Sequence, residues 1–289
     1  MSEVTKTPPH AGAEAAPRQR RGEAIAERTI GGLRPYRLHI SLLVYISAVL
    51  VADALLPTFW PQAGLGALTL LVLYLYTLRL SPGQRLQVWL CVLVATGFEI
   101  LGSIVIGVYR YRLHNIPLYV PPGHGLVFLF GLTAGATPVF QRHGRRVAIV
   151  LLAVCAAWAF AGLTLMPGWT NRIDIQGAVC LPILAGFVLL SPRYAMFAAV
   201  FVVTSIIEIV GTRAGDWYWL PVAPPFQLPS GNPPSAIAGG YCVIDSSVAL
   251  LSLALSRMPL ARLGFTVRDR KKHTRSSAPR SGWSDVAKL

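Results

Sequence analysis

The chain has 289 residues, of which 54% are hydrophobic and only 13% charged, and its mean hydropathy is +0.54. About 25% charged residues is usual for a soluble domain, so a water-soluble enzyme, a collagenous chain and a disulfide-framed secreted domain are excluded and a membrane protein is indicated. The formal net charge of +14 sits mostly at the two ends: residues 1–37 hold seven basic and four acidic side chains, and residues 257–289 hold nine and two.

Residues 1–37 are rich in Pro, Ala and charge and read as a disordered basic tail without a cleavable signal peptide. Cutting the body at its Pro, Gly and Arg punctuation leaves eight apolar runs, near 38–56, 62–80, 86–107, 123–140, 146–166, 174–191, 194–212 and 234–256. A bilayer core needs roughly 20 apolar residues per helix, and runs this long and uniformly apolar satisfy their backbone in lipid as helices. The expected fold is therefore all-α, a polytopic integral membrane protein with about eight transmembrane helices. Residues 257–289 form a second disordered basic tail.

Orientation follows the basic loops. With the amino terminus in the cytoplasm, Arg79, Arg85, Arg142, Arg145, Arg146 and Arg193 join both tails on the inner face. Arg110, Arg112, Arg172 and Arg213 lie outside. The predicted localisation is the cell membrane, multi-pass, with both termini cytoplasmic. The tails are expected to meet anionic lipid headgroups rather than nucleic acid. The cysteines Cys91, Cys155, Cys180 and Cys242 all fall within apolar runs, with no metal-ligand pairing, and read as small buried hydrophobes.

Self-comparison gives the most specific signal. Glu99-Ile100-Leu101-Gly102-Ser103 ends the third run and Glu208-Ile209-Val210-Gly211-Thr212 ends the seventh. In each copy a glycine follows (Gly107, Gly215), then two aromatics spaced by one residue: Tyr109 and Tyr111, Trp217 and Trp219. Each copy re-enters an apolar run through a Pro-Pro step, Pro121-Pro122 and Pro233-Pro234. This predicts two four-helix repeats, residues 38–144 and 145–256, related by an axis along the membrane normal.

Only six acids remain in the body, and Asp53, Glu99, Glu208 and Asp245 fall inside runs. A charged residue at mid-bilayer costs at least about 2.5–3.5 kcal/mol, so each requires a structural or chemical reason. Glu99 lies roughly 12 Å below the outer end of its helix. Gly102 and Gly211, at i+3, remove bulk beside each glutamate, and Ser103 and Thr212, at i+4, are positioned to bond its carboxyl. Asp53, near an outer run end, is expected to reach interfacial water. The aromatics read either as belt residues at an interface or as a pocket wall whose ring faces stabilise a cation. His124 is a candidate base, metal ligand or helix-start residue. Asn232 is a turn or cap residue and a candidate substrate contact. Metal chemistry is weakly indicated, because no His-x-x-x-His or Glu-x-x-His spacing occurs within a run, and no cofactor motif is present.

Around Glu99-x-x-Gly102, Gly107-x-Tyr109-x-Tyr111, the loop Asn115-Ile116-Pro117-Leu118 and Glu208-x-x-Gly211 with Trp217 and Trp219, the sequence resembles the membrane carotenoid-biosynthesis family that includes the carotenoid hydratases. The likeness covers about a third of the chain, and Tyr109-Arg110-Tyr111-Arg112 and Pro121-Pro122-Gly123-His124 depart from the family pattern. The resemblance implies a polytopic enzyme that adds water across a terminal isoprenoid double bond by acid chemistry. The residues themselves suggest Glu99, Glu208, Asp245 and His124 as acid–base groups. Tyr109, Tyr111, Trp217, Trp219, Gly102, Gly211 and Asn232 are the expected substrate contacts. The alternative is a proton- or cation-coupled transporter, or a lipid-binding membrane protein, using the same acids.

Overall fold

The structure, a computed structural model, describes residues 33–224 and 226–257. The expected basic tails lie almost wholly outside the described residues. Among the described residues eight apolar helices of ten or more residues appear, one in each predicted run: α1 (Arg37–Ala54), α2 (Phe59–Thr77), α3 (Pro82–Glu99), α4 (Val120–Ala134), α5 (Pro138–Thr164), α6 (Ile175–Leu190), α7 (Tyr194–Ala214) and α8 (Ala238–Arg257). Among the described residues, six helices are long and apolar enough to cross a membrane; α4 and α6, with 15 and 16 residues, are shorter. The described chain up to Leu253 forms one compact unit, and residues 254–257 complete α8.

Local chemistry fixes the helix ends. Ser81 caps α3 through a capping box with Gln84, with Pro82 in the first turn where its missing N–H costs nothing. Asp174 caps α6 by accepting from the Gly177 N–H at 3.0 Å. Its carboxylate also accepts from the backbone N–H groups of Gly231 (3.0 Å) and Ser235 (2.7 Å), tying α6 to the segment before α8. The predicted run 123–140 is not one helix. The chain turns at 135–137 and Pro138 opens α5, because a proline initiates a helix readily but breaks one it interrupts. The expected boundary between residues 144 and 145 falls inside α5, beside a kink at His143 (φ −134°, ψ 19°).

The centre of the bundle is α4 against α7. Ten of the fifteen residues of α4 and eleven of the twenty-one of α7 are buried. α4 packs on α1, α2, α3 and α7, and α7 on α1, α5 and α6 as well. A second packed layer joins Ala148 and Cys155 of α5, Leu184 and Val188 of α6 and Cys242 of α8. All four cysteines are free; Cys91, Cys155 and Cys242 are buried as expected, whereas Cys180 is only partly buried.

Two short strands interrupt the helical pattern. β1 (Tyr109–Tyr111) pairs antiparallel with β2 (Trp217–Trp219), with Tyr109 opposite Trp219, Arg110 opposite Tyr218 and Tyr111 opposite Trp217. β3 (Val222–Ala223) pairs with β4 (Leu228–Pro229) in a small hairpin. The β1–β2 pair joins the segments that follow α3 and α7, and it assembles the site.

Candidate functional site

Each glutamate motif builds the same local turn. Beyond Glu99 the helix loosens into a π-helical stretch, Ile100–Ile106, and ends at Gly107 with φ +75°. Beyond Glu208, α7 stays α-helical and ends at Gly215 with φ +83°. Both glycines take the left-handed conformation that reverses the chain, where a Cβ would be strained. The first copy has eight residues from Glu to this Gly and the second has seven. The wider π-helical turn absorbs the extra residue, so the strand that follows leaves at the corresponding place.

The returning strand lays an aromatic ring over the i+3 glycine. A Cβ on Gly102 would lie 3.2 Å from the Tyr109 ring, and one on Gly211 would lie 2.0 Å from the Trp217 ring. The glycines thus admit the protein's own aromatics, and the rings bring their polar atoms onto the carboxylates. Tyr109 and Tyr111 each donate an O–H to Glu99 Oε2 at 2.7 Å. Trp217 and Trp219 donate their indole N–H groups to Glu208 Oε2 at 3.0 and 2.9 Å. Ser103 and Thr212 do not bond the carboxyls as expected. Their hydroxyls donate to the backbone carbonyls of Glu99 (2.7 Å) and Glu208 (2.6 Å), the usual i−4 bond of a hydroxyl within an apolar helix.

Both carboxyls are buried, Glu99 at 7% and Glu208 at 3% exposure. Hydrogen bonds to a charged group are worth roughly 1.5–3 kcal/mol each, so two or three per carboxyl offset the cost of placing it in an apolar bundle. Burial, and after it the negative charge of Glu99, push the Tyr109 and Tyr111 phenols far above their ordinary range; each keeps its proton and acts as a donor.

The second oxygens distinguish the two acids. The His124 ring, Nε2–H toward the carboxylate, donates to Glu99 Oε1 at 2.9 Å. Among the described residues, Glu208 Oε1 has only the Tyr241 hydroxyl, at 3.5 Å. The His124 ring stacks on Tyr241 with centroids 5.0 Å apart and planes at 19°. Glu99, His124, Tyr241 and Glu208 therefore lie in a row from α3 through α4 and α8 to α7, joined by hydrogen bonds at its two ends and by ring stacking in the middle.

These groups face one cavity of about 340 Å³, within the range of small-molecule sites. Its wall includes Glu99, Glu208, His124, Gly102 and all four predicted aromatics, and it continues past Tyr45 and Thr69 between α1 and α2. Three sequence-predicted residues lie outside that wall. Gly211 is covered by Trp217. Asn232 supports the strand instead, its Oδ1 accepting the backbone N–H of Trp219 at 2.9 Å. Asp245 is buried in α8 within electrostatic reach of Cys91, Tyr241 and Cys242, and its Oδ2 has no hydrogen-bond partner.

Tyr241 and Tyr119 escaped the sequence reading as site residues; the Gly239-Gly240-Tyr241 step was the available signal for the first. Asp53 departs from expectation too. It is fully buried rather than open to interfacial water, with Gln62 Nε2 donating to Oδ1 at 2.8 Å, Tyr119 O–H donating to Oδ2 at 3.1 Å and Arg112 Nη2 3.6 Å from Oδ1. The chain matches no protein-family model, no curated protein and no solved structure.

Proposed function

We propose that this protein is a membrane enzyme acting on a long apolar lipid of isoprenoid or carotenoid type, by proton transfer from a carboxylic acid to a carbon–carbon double bond. The observation that carries this reading is the convergence of two buried, differently solvated carboxyls on one aromatic-walled apolar cavity. Eight spans with cytoplasmic termini and two duplicated halves belong to the same proposal. The antiparallel β1–β2 register, in which each strand serves its own half's glutamate, supports a two-fold relation. The short α4 suits a crossing helix shielded by its neighbours, since non-helical ends are tolerated where protein rather than lipid surrounds them.

In this mechanism Glu208 is the acid. Both indoles donate to Oε2, which leaves Oε1 to carry the proton toward the cavity. The proton adds to the less substituted carbon of the terminal double bond, and the π-electron pair forms the new C–H bond. The tertiary cation left behind faces tyrosine and tryptophan rings that stabilise positive charge without bonding to it. Glu99 and His124 are the base. In hydration they take a proton from the water that attacks the cation; in cyclisation they take it from the carbon beside the cation formed by ring closure. The cycle closes when the base gives its proton up to solvent and Glu208 takes one back; His124 and Tyr241 are stacked rather than hydrogen-bonded, and they order the space between the two acids.

Lipid extracts of cells with and without the gene, compared by mass, test the proposal. A polyene heavier by one water indicates hydration, and an isomer indicates cyclisation. Either product should vanish in Glu99→Gln and Glu208→Gln at normal expression. Full product from both variants would exclude the mechanism, and proton-coupled uptake lost in the same variants would indicate transport.

A further inference from the structure

A second polar cluster adjoins the cavity at the end of the β1–β2 ladder. Arg112 N–H donates to the Asp216 carbonyl at 2.8 Å, extending the ladder by one pair. This brings the Arg112 side chain to Asp53 of α1, where it donates to the Asp53 carbonyl and faces its carboxylate. Asn115 Nδ2 donates to Gln62 Oε1 at 2.9 Å, and Gln62 in turn bonds Asp53. Tyr119 connects the cluster to the site: its hydroxyl bonds Asp53 and its ring forms part of the cavity wall.

Among the described residues, Asn115 Oδ1 and Arg112 Nε of this cluster are buried with no hydrogen-bond partner, and the Asp216 carboxyl receives no N–H or hydroxyl donor, its one polar bond being shared with Asp53. Asp216 is 0% exposed and its carboxyl interacts with Asp53 and Arg112. Buried polar groups of one cluster that lack partners have the chemistry that holds buried water, which makes two to four hydrogen bonds. Resting on the hydratase reading above, we propose that Asp216, Asn115 and Arg112 form a water-binding site that supplies the co-substrate of hydration to the cavity past Tyr119.

Charge favours water over a metal ion. Burial first, then the negative charge of Asp53, pushes Asp216 up to about 8. Near neutrality it favours its neutral form, which weakens it as a ligand for a cation. A neutral Asp216 both donates to and accepts from water. Arg112, a quarter exposed, gives the cluster an edge at the surface from which water is replenished.

Two measurements test the site. Infrared difference spectra of the reconstituted protein, in ordinary against heavy-oxygen water, should show an isotope-shifted O–H band from buried water that is lost in Asp216→Leu and in Asn115→Leu. The same band in all three proteins would overturn the proposal, whether or not turnover is found. In lipid extracts, the hydrated product should fall roughly tenfold relative to unhydrated isomers in either leucine variant, and Asp216→Asn should restore the ratio. An unchanged ratio would overturn the proposal while leaving the acid mechanism intact, because Glu208→Gln removes both products together. If Asp216→Leu does not fold, Asn115→Leu decides the question alone.

Discussion

The two glutamate segments share a frame and differ in what fills it. Around Glu99 the helix is π-helical, the donors are two phenols, and a histidine takes the second oxygen. Around Glu208 the helix is regular, the donors are two indoles, and the second oxygen meets only a distant tyrosine. A carboxylate saturated by donors is suited to remaining a base, and one with an oxygen left over is suited to carrying a proton. Environment alone can divide the work between two identical side chains.

The largest effect expected from breaking this contrast is chemical. Glu208→Gln and Glu99→Gln should each lower turnover by about 10²–10⁴-fold, with His124→Gln falling less far than Glu99→Gln; product formation per mole of purified protein is the readout. Next come the glycines. Gly211→Ala drives a Cβ into the buried Trp217 ring, whereas Gly102→Ala only crowds Tyr109. Overpacking of this kind costs about 1–3 kcal/mol, so thermal unfolding in detergent should place Gly211→Ala clearly below Gly102→Ala. Equal stability of the two would mean that the rings do not lie on these helices as described.

Asp216, in the loop outside the helices, gives a pH test. Its acidity is depressed by burial and then by Asp53, so the folded protein holds this proton up to about pH 8, far above an ordinary aspartate at about 3.9. The folded state then binds more protons than the unfolded state between those values, and stability falls as pH rises toward 8. Unfolding temperatures should be lower at pH 9 than at pH 6, and Asp216→Asn should flatten the slope. The smallest effect is that of single donors. Tyr109→Phe leaves Tyr111 and His124 on Glu99, so activity should drop only several-fold, and less than in the Tyr109→Phe, Tyr111→Phe double variant.

Much of the helical frame was legible because apolar runs of this length leave the chain few alternatives. All eight runs contain a helix, and the Glu-x-x-Gly and Gly-x-aromatic-x-aromatic spacings marked both carboxyls of the cavity wall and the four aromatics bonded to them. Pairing across the molecule was not legible. β1 and β2 have three residues each, too few to show a strand period, and their partners lie more than a hundred positions apart. Separation along the chain also hid Arg112 reaching Asp53, 59 positions away, and Tyr241 stacking on His124. Asp245 and Asn232 carry the right functional groups, but a sequence does not say which side of a helix or turn faces the cavity. The π-helical stretch was present in plain form as one extra residue between Glu99 and Gly107; a count of spacing alone cannot choose between a loop and a widened turn.

The most direct test is turnover in deuterium oxide by the purified, reconstituted protein with a linear polyene bearing a terminal isoprenoid double bond. The account predicts one deuterium on carbon in the product, at the less substituted end of the former double bond, and no labelled product from Glu208→Gln. Product without carbon-bound deuterium, or undiminished labelling in Glu208→Gln, would contradict it.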